Sequence, residues 1–145
     1  MDENKYLSDR LEEQIGWYSR KSTCNKRYYY SFKTIEIILA AIVPFLIALS
    51  EQFNGLKILS GILSIIVGIV ASVLIVFKFQ EKWIQYRSTC ENLKHEKYLF
   101  ETKSGIYASN PNFKVFVERV EFIISKENSD WTQIVIAKET NQQTN

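Results

Sequence analysis

The sequence predicts an all-α protein: a two-helix transmembrane hairpin extended by a cytoplasmic antiparallel helical bundle with a third amphipathic helix. Three observations predict it. Residues 35–50 and 56–77 are two apolar runs close together, charged residues collect in the flanks, and the flanks repeat apolar residues at intervals of three and four. Such spacing places apolar side chains on one face of a helix. We therefore expect a single domain over residues 1–138.

The second apolar run is long enough to cross a membrane. A bilayer core of about 30 Å needs about 20 apolar residues at about 1.5 Å each, and residues 58–77 contain no charge. The first run is shorter, and it spans if Lys33 and Glu36 extend toward the interface or if the bilayer thins. The alternative is a hairpin buried in a soluble bundle, which helices apolar on every face disfavour.

Residues 5–33 predict a cytoplasmic helix that leads into the first span, residues 35–50. One stripe at helical spacing runs along it: Leu7, Leu11, Ile15, Tyr18, Ser22, Asn25, Tyr29 and Phe32. Tyr28, Tyr30 and Phe32 come just before the span. Aromatic side chains in that position favour the interface between lipid and water.

The connection between the spans predicts their orientation. The turn from Ser50 to Gly55 has no basic residue, and Asn54-Gly55 suits a sharp reversal because both residues tolerate positive φ. Basic residues flank the opposite end of the hairpin: Arg20, Lys21, Lys26, Arg27 and Lys33 before it, and Lys78, Lys82, Arg87 and Lys94 after it. Because Lys and Arg concentrate on the cytoplasmic side, we expect both termini to be cytoplasmic.

Residues 78–104 predict a cytoplasmic helix that continues from the second span, residues 56–77. Its seam has heptad-like spacing: Phe79, Trp83, Tyr86, Cys90, Leu93 and Phe100, with Lys97 at the missing position. The short turn makes the spans antiparallel, so this helix is expected to pack against residues 5–33. Ser104-Gly105 ends it, with Gly105 near a C-terminal cap.

Residues 111–127 predict the third, amphipathic helix. Asn110 is typical of an N-cap, and Pro111 is typical of the first helical position. One face of this helix is apolar: Phe113, Phe116, Val117, Val120, Ile123 and Ile124. That face is expected to be buried on the other two cytoplasmic helices.

The C-terminal residues predict one more short element. Residues 131–138 are expected to form a short helix whose Trp131, Ile134 and Val135 dock on the bundle. Residues 139–145 are polar and are predicted to be a disordered tail.

No arrangement of residues typical of catalysis or cofactor binding is present. His95 is the only histidine, and it lacks Cys or Asp partners at metal-ligand spacing. The sequence has no glycine-rich phosphate loop, no GxSxG and no HExxH. We therefore expect no enzymatic activity, no cofactor and no metal. The net charge of +2 argues against a nucleic-acid partner.

Cys24 and Cys90 are far apart in the sequence and show no CxxC pattern. They are expected to be reduced thiols on the cytoplasmic side. Two interpretations stay open: the thiols meet across the packed helices, or each is a small side chain used for packing, which is the commoner case.

Small residues recur along the second span. Ser60, Ser64, Gly68 and Ser72 follow one another at intervals of four, which lets helix backbones approach closely in a membrane. Either this seam packs the hairpin against itself, or its hydroxyl face meets neighbouring subunits or lines a pore. A pore requires several copies, and a hydrophobic constriction would close it by dewetting. The candidate residues for that gate are Leu63, Ile66 and Val67.

Glu36 is an acidic residue near the inner end of the first span. An acid at this depth is a functional candidate, here a charge at the inner mouth of a pore. The alternative is an interfacial ion pair with Lys33, one turn earlier.

Several segments together resemble the SLATT family, the SMODS- and SLOG-associating two-transmembrane effector domains. These are residues 11–22, the run from Tyr29 to Glu36 with Pro44-Phe45, residues 116–121 and residues 127–131. The resemblance covers nearly the whole chain and includes no catalytic signature. It implies a bacterial inner-membrane protein that acts as a pore-forming effector in nucleotide-activated conflict systems. A cytoplasmic sensor protein or a nucleotide signal would then be its partner.

Two functions follow as expectations. The first is a small homo-oligomeric inner-membrane protein that forms a pore or channel gated from its cytoplasmic helices. The second is a non-conducting membrane anchor or scaffold that recruits a cytoplasmic partner. A pore needs a polar strip facing an axis, whereas a scaffold needs an exposed apolar patch outside the membrane.

Overall fold

The computed structural model describes residues 3–51, 54–109 and 112–126. Within these ranges it contains helices and turns and no strand, which confirms the all-α prediction. The elements are α1 (Glu3–Lys5), a π-helical segment (Tyr6–Leu11), α2 (Glu12–Leu49), α3 (Asn54–Phe77), α4 (Phe79–Glu101), a 3-10 turn (Gly105–Tyr107) and α5 (residues 113–126).

The first cytoplasmic helix and the first span, predicted as two segments, are parts of one continuous helix, α2. Pro44 lies inside this helix, where it lacks one N–H donor but keeps a φ value that fits a helix. The Asn110-Pro111 cap lies outside the described residues, as do the short helix 131–138 and the tail 139–145.

Lys78 separates α3 from α4, although the sequence predicts a helix that runs on without a break. Its φ is 49°, a left-handed value that is unfavourable for a residue with a side chain. Its N–H still donates to the carbonyl of Leu74 at 3.2 Å, and its own carbonyl accepts from the N–H of Lys82 at 3.0 Å. The helical hydrogen bonds therefore continue past the break.

The C-terminal end of α4 is a Schellman motif centred on Lys103, and Gly105 is not its cap. Lys103 has a φ of 52°, and its N–H donates to the carbonyl of Phe100 at 3.1 Å. The next N–H, that of Ser104, reaches back to the carbonyl of Leu99 at 2.9 Å. These two bonds satisfy carbonyls that a helix end leaves unpaired. Gly105, with a φ of 61°, begins the 3-10 turn instead.

The chain divides into two compact units. The terminal unit combines Met1–Ser22 with Ile84–Asn145, and the hairpin unit is Thr23–Trp83. The side chains most completely buried all lie in the terminal unit: Leu11, Cys90, Leu93, Tyr107, Phe116 and Val120. Phe100 stacks on Phe116 with ring centroids 4.3 Å apart.

Helices pack antiparallel within the terminal unit. The thiol of Cys90 on α4 lies 3.6 Å from the carbonyl oxygen of Ile15 on α2. About two helical turns further along α4, Lys97 pairs with Glu12, which precedes Ile15 on α2. Contacts thus move toward the N-terminus on one helix as they move toward the C-terminus on the other. This packing joins the start of α2 to α4, as the sequence predicts for its two flanking helices.

The hairpin unit contains two helices that are long and apolar enough to cross a membrane. Along each helix, one stripe of side chains is partly or fully covered by the rest of the chain. The residues of this stripe follow one another at intervals of four, three, four, three and four positions. In α2 and the residue that follows it, the stripe is Phe32, Glu36, Leu39, Val43, Leu46 and Ser50. In α3 it is Leu56, Ser60, Leu63, Val67, Val70 and Leu74. This spacing is typical of helices that pack along a left-handed supercoil. Because the unit consists almost entirely of these two helices, the stripes face each other.

Candidate functional site in the apolar hairpin

The surface of the hairpin unit is apolar on the sides that the stripes leave open. Large aliphatic side chains there are mostly exposed: Ile58 is 70% exposed, Ile75 70% and Val76 73%. A soluble monomer rarely exposes a continuous apolar surface of this extent. Lipid or other apolar protein surface must therefore cover it.

The serine and glycine residues of α3 do not share one environment. Ser60 is buried at 7% exposure in the covered stripe, whereas Ser64, Gly68 and Ser72 are exposed. Each step of four residues turns about 40° around an α-helix. The row therefore winds from the covered stripe to the opposite face, where it borders a shallow groove. The groove is lined by Ile65, Gly68, Ile69, Ser72, Val73, Val76 and Phe77.

The serine hydroxyls bond to carbonyls of their own helix. Ser60 Oγ donates to the carbonyl of Lys57 at 2.9 Å, and Ser64 Oγ donates to that of Ser60 at 2.8 Å. Ser72 Oγ donates to the carbonyl of Gly68 at 2.8 Å. Each hydroxyl has used its only proton, so its oxygen retains acceptor capacity alone. An exposed row of such oxygens presents partial negative charge.

Gly68 has no steric role inside a single chain. A Cβ added at Gly68 meets nothing within 4 Å. Close helix approach is the usual reason for a small residue in a membrane span. Any requirement for glycine at this position must therefore come from a neighbouring molecule.

The residues proposed for a gate are divided between two surfaces. Leu63 and Val67 are half-buried in the covered stripe, and Ile66 is exposed. On the face that carries Ser72, the exposed large side chains are Ile65, Ile69, Val76 and Phe77. Leu63 and Val67 would reach a pathway on that face only if the two spans separated.

Glu36 lies in the covered stripe of α2 and forms an ion pair. Lys33 Nζ lies 3.1 Å from Glu36 Oε2. This is the interfacial pairing that the spacing of three residues permits. The Glu36 carboxylate therefore has a neighbouring cation that balances its charge.

Aromatic rings gather at the end of the hairpin unit that holds Lys26. Phe79 contacts Tyr28 at 5.7 Å and Phe32 at 6.0 Å between ring centroids. Lys26 Nζ lies 5.6 Å from the centroid of the Trp83 ring, within range of a cation–π interaction. These contacts join the start of α4 to α2 within the unit.

The terminal unit contains a buried polar cluster that sequence reasoning missed. Glu96 is only 3% exposed, and it directly precedes Lys97, the seam residue that pairs with Glu12 of α2. Tyr107 Oη donates to Glu96 Oε1 at 2.5 Å, and Arg119 Nε donates to the same oxygen at 2.5 Å. Burial disfavours the charge on Glu96, but these two hydrogen bonds outweigh it and hold the carboxyl pKa below its usual value.

Tyr107 and Tyr6 each donate to a carboxylate. Burial and then the hydrogen bond to Glu96 raise the pKa of Tyr107, and burial and then the bond to Glu121 raise that of Tyr6. Arg10 also binds Glu121, with Nη2 at 3.3 Å from Oε2. These bonds tie α5 to α4 and to the N-terminal helical segment, so their role is structural.

The two cysteines differ in environment. Cys90 is buried, and burial raises the pKa of its thiol, which makes the thiol less reactive. Cys24 is exposed. Over the described ranges, His, Cys, Asp and Glu side chains form no group of three suited to a metal ion.

One family model matches the chain, over residues 13–114, and its description is "Protein of unknown function (DUF4231)". The match begins at the start of α2, includes both spans and α4, and ends at the start of α5. Neither curated proteins nor solved structures give a match. Because the match covers well over half of the residues of the chain, the chain belongs to the DUF4231 family.

Proposed function

We propose that the protein is a homo-oligomeric membrane protein of the SLATT type, whose copies assemble into a pore through the exposed face of α3. The observation that carries the proposal is that Ser64, Gly68 and Ser72 lie on a membrane-length helix but outside the surface covered within the hairpin. Polar residues at membrane depth are costly toward lipid and favour protein or water. Several copies around an axis would surround these residues with neighbouring subunits and with the water of a central pathway.

The proposed pathway wall has a defined chemistry. The hydroxyl protons of Ser64 and Ser72 are held by carbonyls of the same helix, so the oxygens offer lone pairs to a permeating ion. A ring of neutral oxygens gives weak selectivity with a preference for cations. Ile65 and Ile69, on the same face, would supply the hydrophobic closure.

The proposed location is a bacterial inner membrane with both termini in the cytoplasm. Basic residues outnumber acidic ones at the end of the hairpin that leads to the terminal unit, and Lys57 is the only basic residue near the turn. The terminal unit would then respond to a cytoplasmic sensor protein or nucleotide signal. This function needs neither a catalytic residue nor a cofactor, and it involves no nucleic acid.

Planar-bilayer recording with the purified full-length protein tests conduction. We expect discrete current steps from the parent protein, reduced conductance from Ser64→Leu, and parent-like conductance from Val43→Leu, which changes a covered side chain of α2. Silent bilayers with a monomeric protein would contradict the pore. If Ser64→Leu leaves the conductance as unchanged as Val43→Leu does, the pathway does not run along the serine face.

A membrane anchor that recruits a partner is the second candidate. It is favoured by apolar side chains exposed on the terminal unit, among which Phe122 is 67% exposed. Ile84, Ile106, Tyr98 and Val115 are also exposed there. Phe122→Ser would abolish recruitment in this case and leave any conductance unchanged, which separates the two functions.

A further inference from the structure

We propose that a cavity between α4 and α5, within the terminal unit, binds a small organic anion: a carboxylate or a phosphate ester attached to an apolar or aromatic group. The volume of the cavity is about 350 Å³, a size typical of sites for small molecules. Its lining includes Ser88, Thr89 and Asn92 of α4 and Phe122, Ile123 and Lys126 of α5. This ligand site goes beyond the proposed function, and it does not depend on conduction or on the membrane.

The cavity continues the line along which α4 and α5 pack. Phe100 stacks on Phe116, and about one turn away Glu96 binds Arg119. Contacts therefore move toward the N-terminus of α4 as they move toward the C-terminus of α5, and the cavity residues come next in both directions. The α4 residues of the lining, at positions 85, 88, 89 and 92, share one helix face and are all uncharged and polar. A helix face that packs on another helix is normally apolar, so this polar face favours a polar ligand.

The hydroxyl of Thr89 is the buried polar group of this cavity. Thr89 is only 6% exposed, yet its hydroxyl has no hydrogen-bond partner among the residues that the structure describes. Thr102 differs, because its hydroxyl donates to the carbonyl of Tyr98 at 2.6 Å. A buried hydroxyl without a partner costs free energy, and such groups are few in native proteins. Since Thr89 lines the cavity, a ligand atom that accepts a hydrogen bond would provide the partner.

The charge of the lining is positive. Lys126 is exposed and forms no ion pair with any described residue, and no carboxylate belongs to the described lining. Two acidic residues that directly precede lining residues are engaged elsewhere: Glu91 pairs with Arg87, and Glu121 pairs with Arg10. The ammonium group of Lys126 can only donate hydrogen bonds, and the neighbouring hydroxyl and amide groups can donate as well. This combination favours an anion as the ligand.

An apolar wall from α5 completes the site. Phe122 is 67% exposed, and Ile123 beside it is half-buried. An inorganic anion would pair with Lys126 and leave this wall in contact with water. An organic anion would cover the Phe122 ring with its apolar part while its acidic group meets Lys126 and Thr89. An organic anion therefore uses both halves of the lining.

Ligand-observed NMR of the full-length protein in mild detergent tests the site by saturation-transfer titration. The probes are benzoate, phenyl phosphate and benzamide, which carry the same ring with a carboxylate, a phosphate ester or no charge. We expect at least one of the two anions to bind more tightly than benzamide. Tighter binding of benzoate assigns a carboxylate ligand, and tighter binding of phenyl phosphate assigns a phosphate ester. Inorganic phosphate at the same concentration should displace neither anion, because it cannot cover the apolar wall.

Two substitutions in the lining should weaken the binding of the anion by different factors. Thr89→Val keeps the side-chain shape and removes a buried hydrogen bond to a charged group, so the affinity should fall about tenfold. Lys126→Gln should lower it about threefold, since solvent screens an exposed charge. Thr89→Ser retains the hydroxyl and should bind as the parent does, which separates a loss of binding from a folding defect. The matched controls outside the cavity are Thr102→Val and Lys114→Gln, and both should bind as the parent does.

Three results would overturn the proposal. The first is equal binding of benzoate, phenyl phosphate and benzamide, and the second is a loss of binding in Thr102→Val or Lys114→Gln as large as in the cavity variants. The third is that no probe binds the parent protein. If benzoate then binds the variant Trp131→Ala, the C-terminal segment of the chain itself is the occupant of the cavity.

Discussion

Arg119 binds Glu96 with two nitrogens: Nε lies 2.5 Å from Oε1, and Nη2 lies 3.2 Å from Oε2. The pair joins α5 to α4, and Tyr107 donates to the same carboxylate from the 3-10 turn. Three elements of the terminal unit therefore meet at a single buried carboxylate. Removing one partner from such a group costs more than the pair itself contributes, because the charge stays buried.

Arg119→Ala is expected to lower the free energy of unfolding by about 1–3 kcal/mol. The lower part of that range applies because the guanidinium is half exposed and solvent screens the pair. Thermal unfolding of the full-length protein in detergent measures the change. Arg87→Ala is the matched control, since its pair with Glu91 is exposed on both sides and should contribute about 0–1 kcal/mol. Equal effects of the two substitutions would contradict the structural role of Glu96.

Acid should destabilise the terminal unit through Glu96. The folded-state pKa of this carboxyl lies below the usual value for a glutamate. Its stabilising contribution is therefore present above that value and is lost as pH falls through the lower, folded-state pKa. Melting temperatures recorded from pH 7 to pH 3 should show this loss in the parent and a shallower slope in Glu96→Gln. If the melting temperatures of the parent and of Glu96→Gln fall in parallel with pH, other carboxylates cause the acid sensitivity.

Lys103→Gly is expected to stabilise the protein by about 1 kcal/mol, because Lys103 holds a left-handed φ of 52° that glycine adopts without strain. The same change in the middle of α4, Lys94→Gly, should destabilise by about 1 kcal/mol, since glycine weakens a helix interior. Denaturant or thermal unfolding of both variants gives the comparison. A loss of stability in Lys103→Gly would indicate that the Lys103 side chain itself contributes.

Gly68→Leu is expected to weaken assembly without loosening the hairpin, because a side chain there meets no atom of its own chain within 4 Å. Cross-linking in membranes reports the oligomer, and protease resistance of the monomer reports the fold. Ala41→Leu, on an exposed position of α2, is the size-matched control and should leave the oligomer unchanged. An unaltered oligomer ladder for Gly68→Leu combined with Ser64→Leu would exclude this face from assembly.

Glu36→Gln should lower cation preference in conducting assemblies, because it leaves the positive charge of Lys33 at the mouth. Lys33→Gln should raise it by releasing the carboxylate from its 3.1 Å ion pair. Reversal potentials under a salt gradient measure both changes. Shifts in the same direction for the two variants would show that the pair does not face the pathway.

The membrane-length helices and their amphipathic extensions could be predicted from the sequence. An uninterrupted apolar run and a three-four repeat are local signals, since one stretch of chain contains everything that determines them. The short turn between the spans also predicted that residues 5–33 pack antiparallel to residues 78–104. A short turn leaves the two helices that it joins few other arrangements. The structure differs at Lys78 and Lys103, where residues other than glycine take positive φ and no local signal marks the break.

The sequence alone determined which helices form, which ones are apolar enough for a membrane, and which small residues repeat along α3. The tertiary structure decided which residues of each repeat are buried against another element and which are exposed. The heptad spacing assigned Lys97 to the seam, and Lys97 pairs there with Glu12 of α2. No repeat in α4 marks the neighbouring Glu96, which is buried because Arg119 and Tyr107, from other elements, supply its hydrogen bonds. The serine row likewise begins in the covered stripe and ends on the open face, because a repeat of four turns away from a packing seam of average spacing 3.5. Burial depends on partners from other elements, and a repeat in one helix does not contain that information.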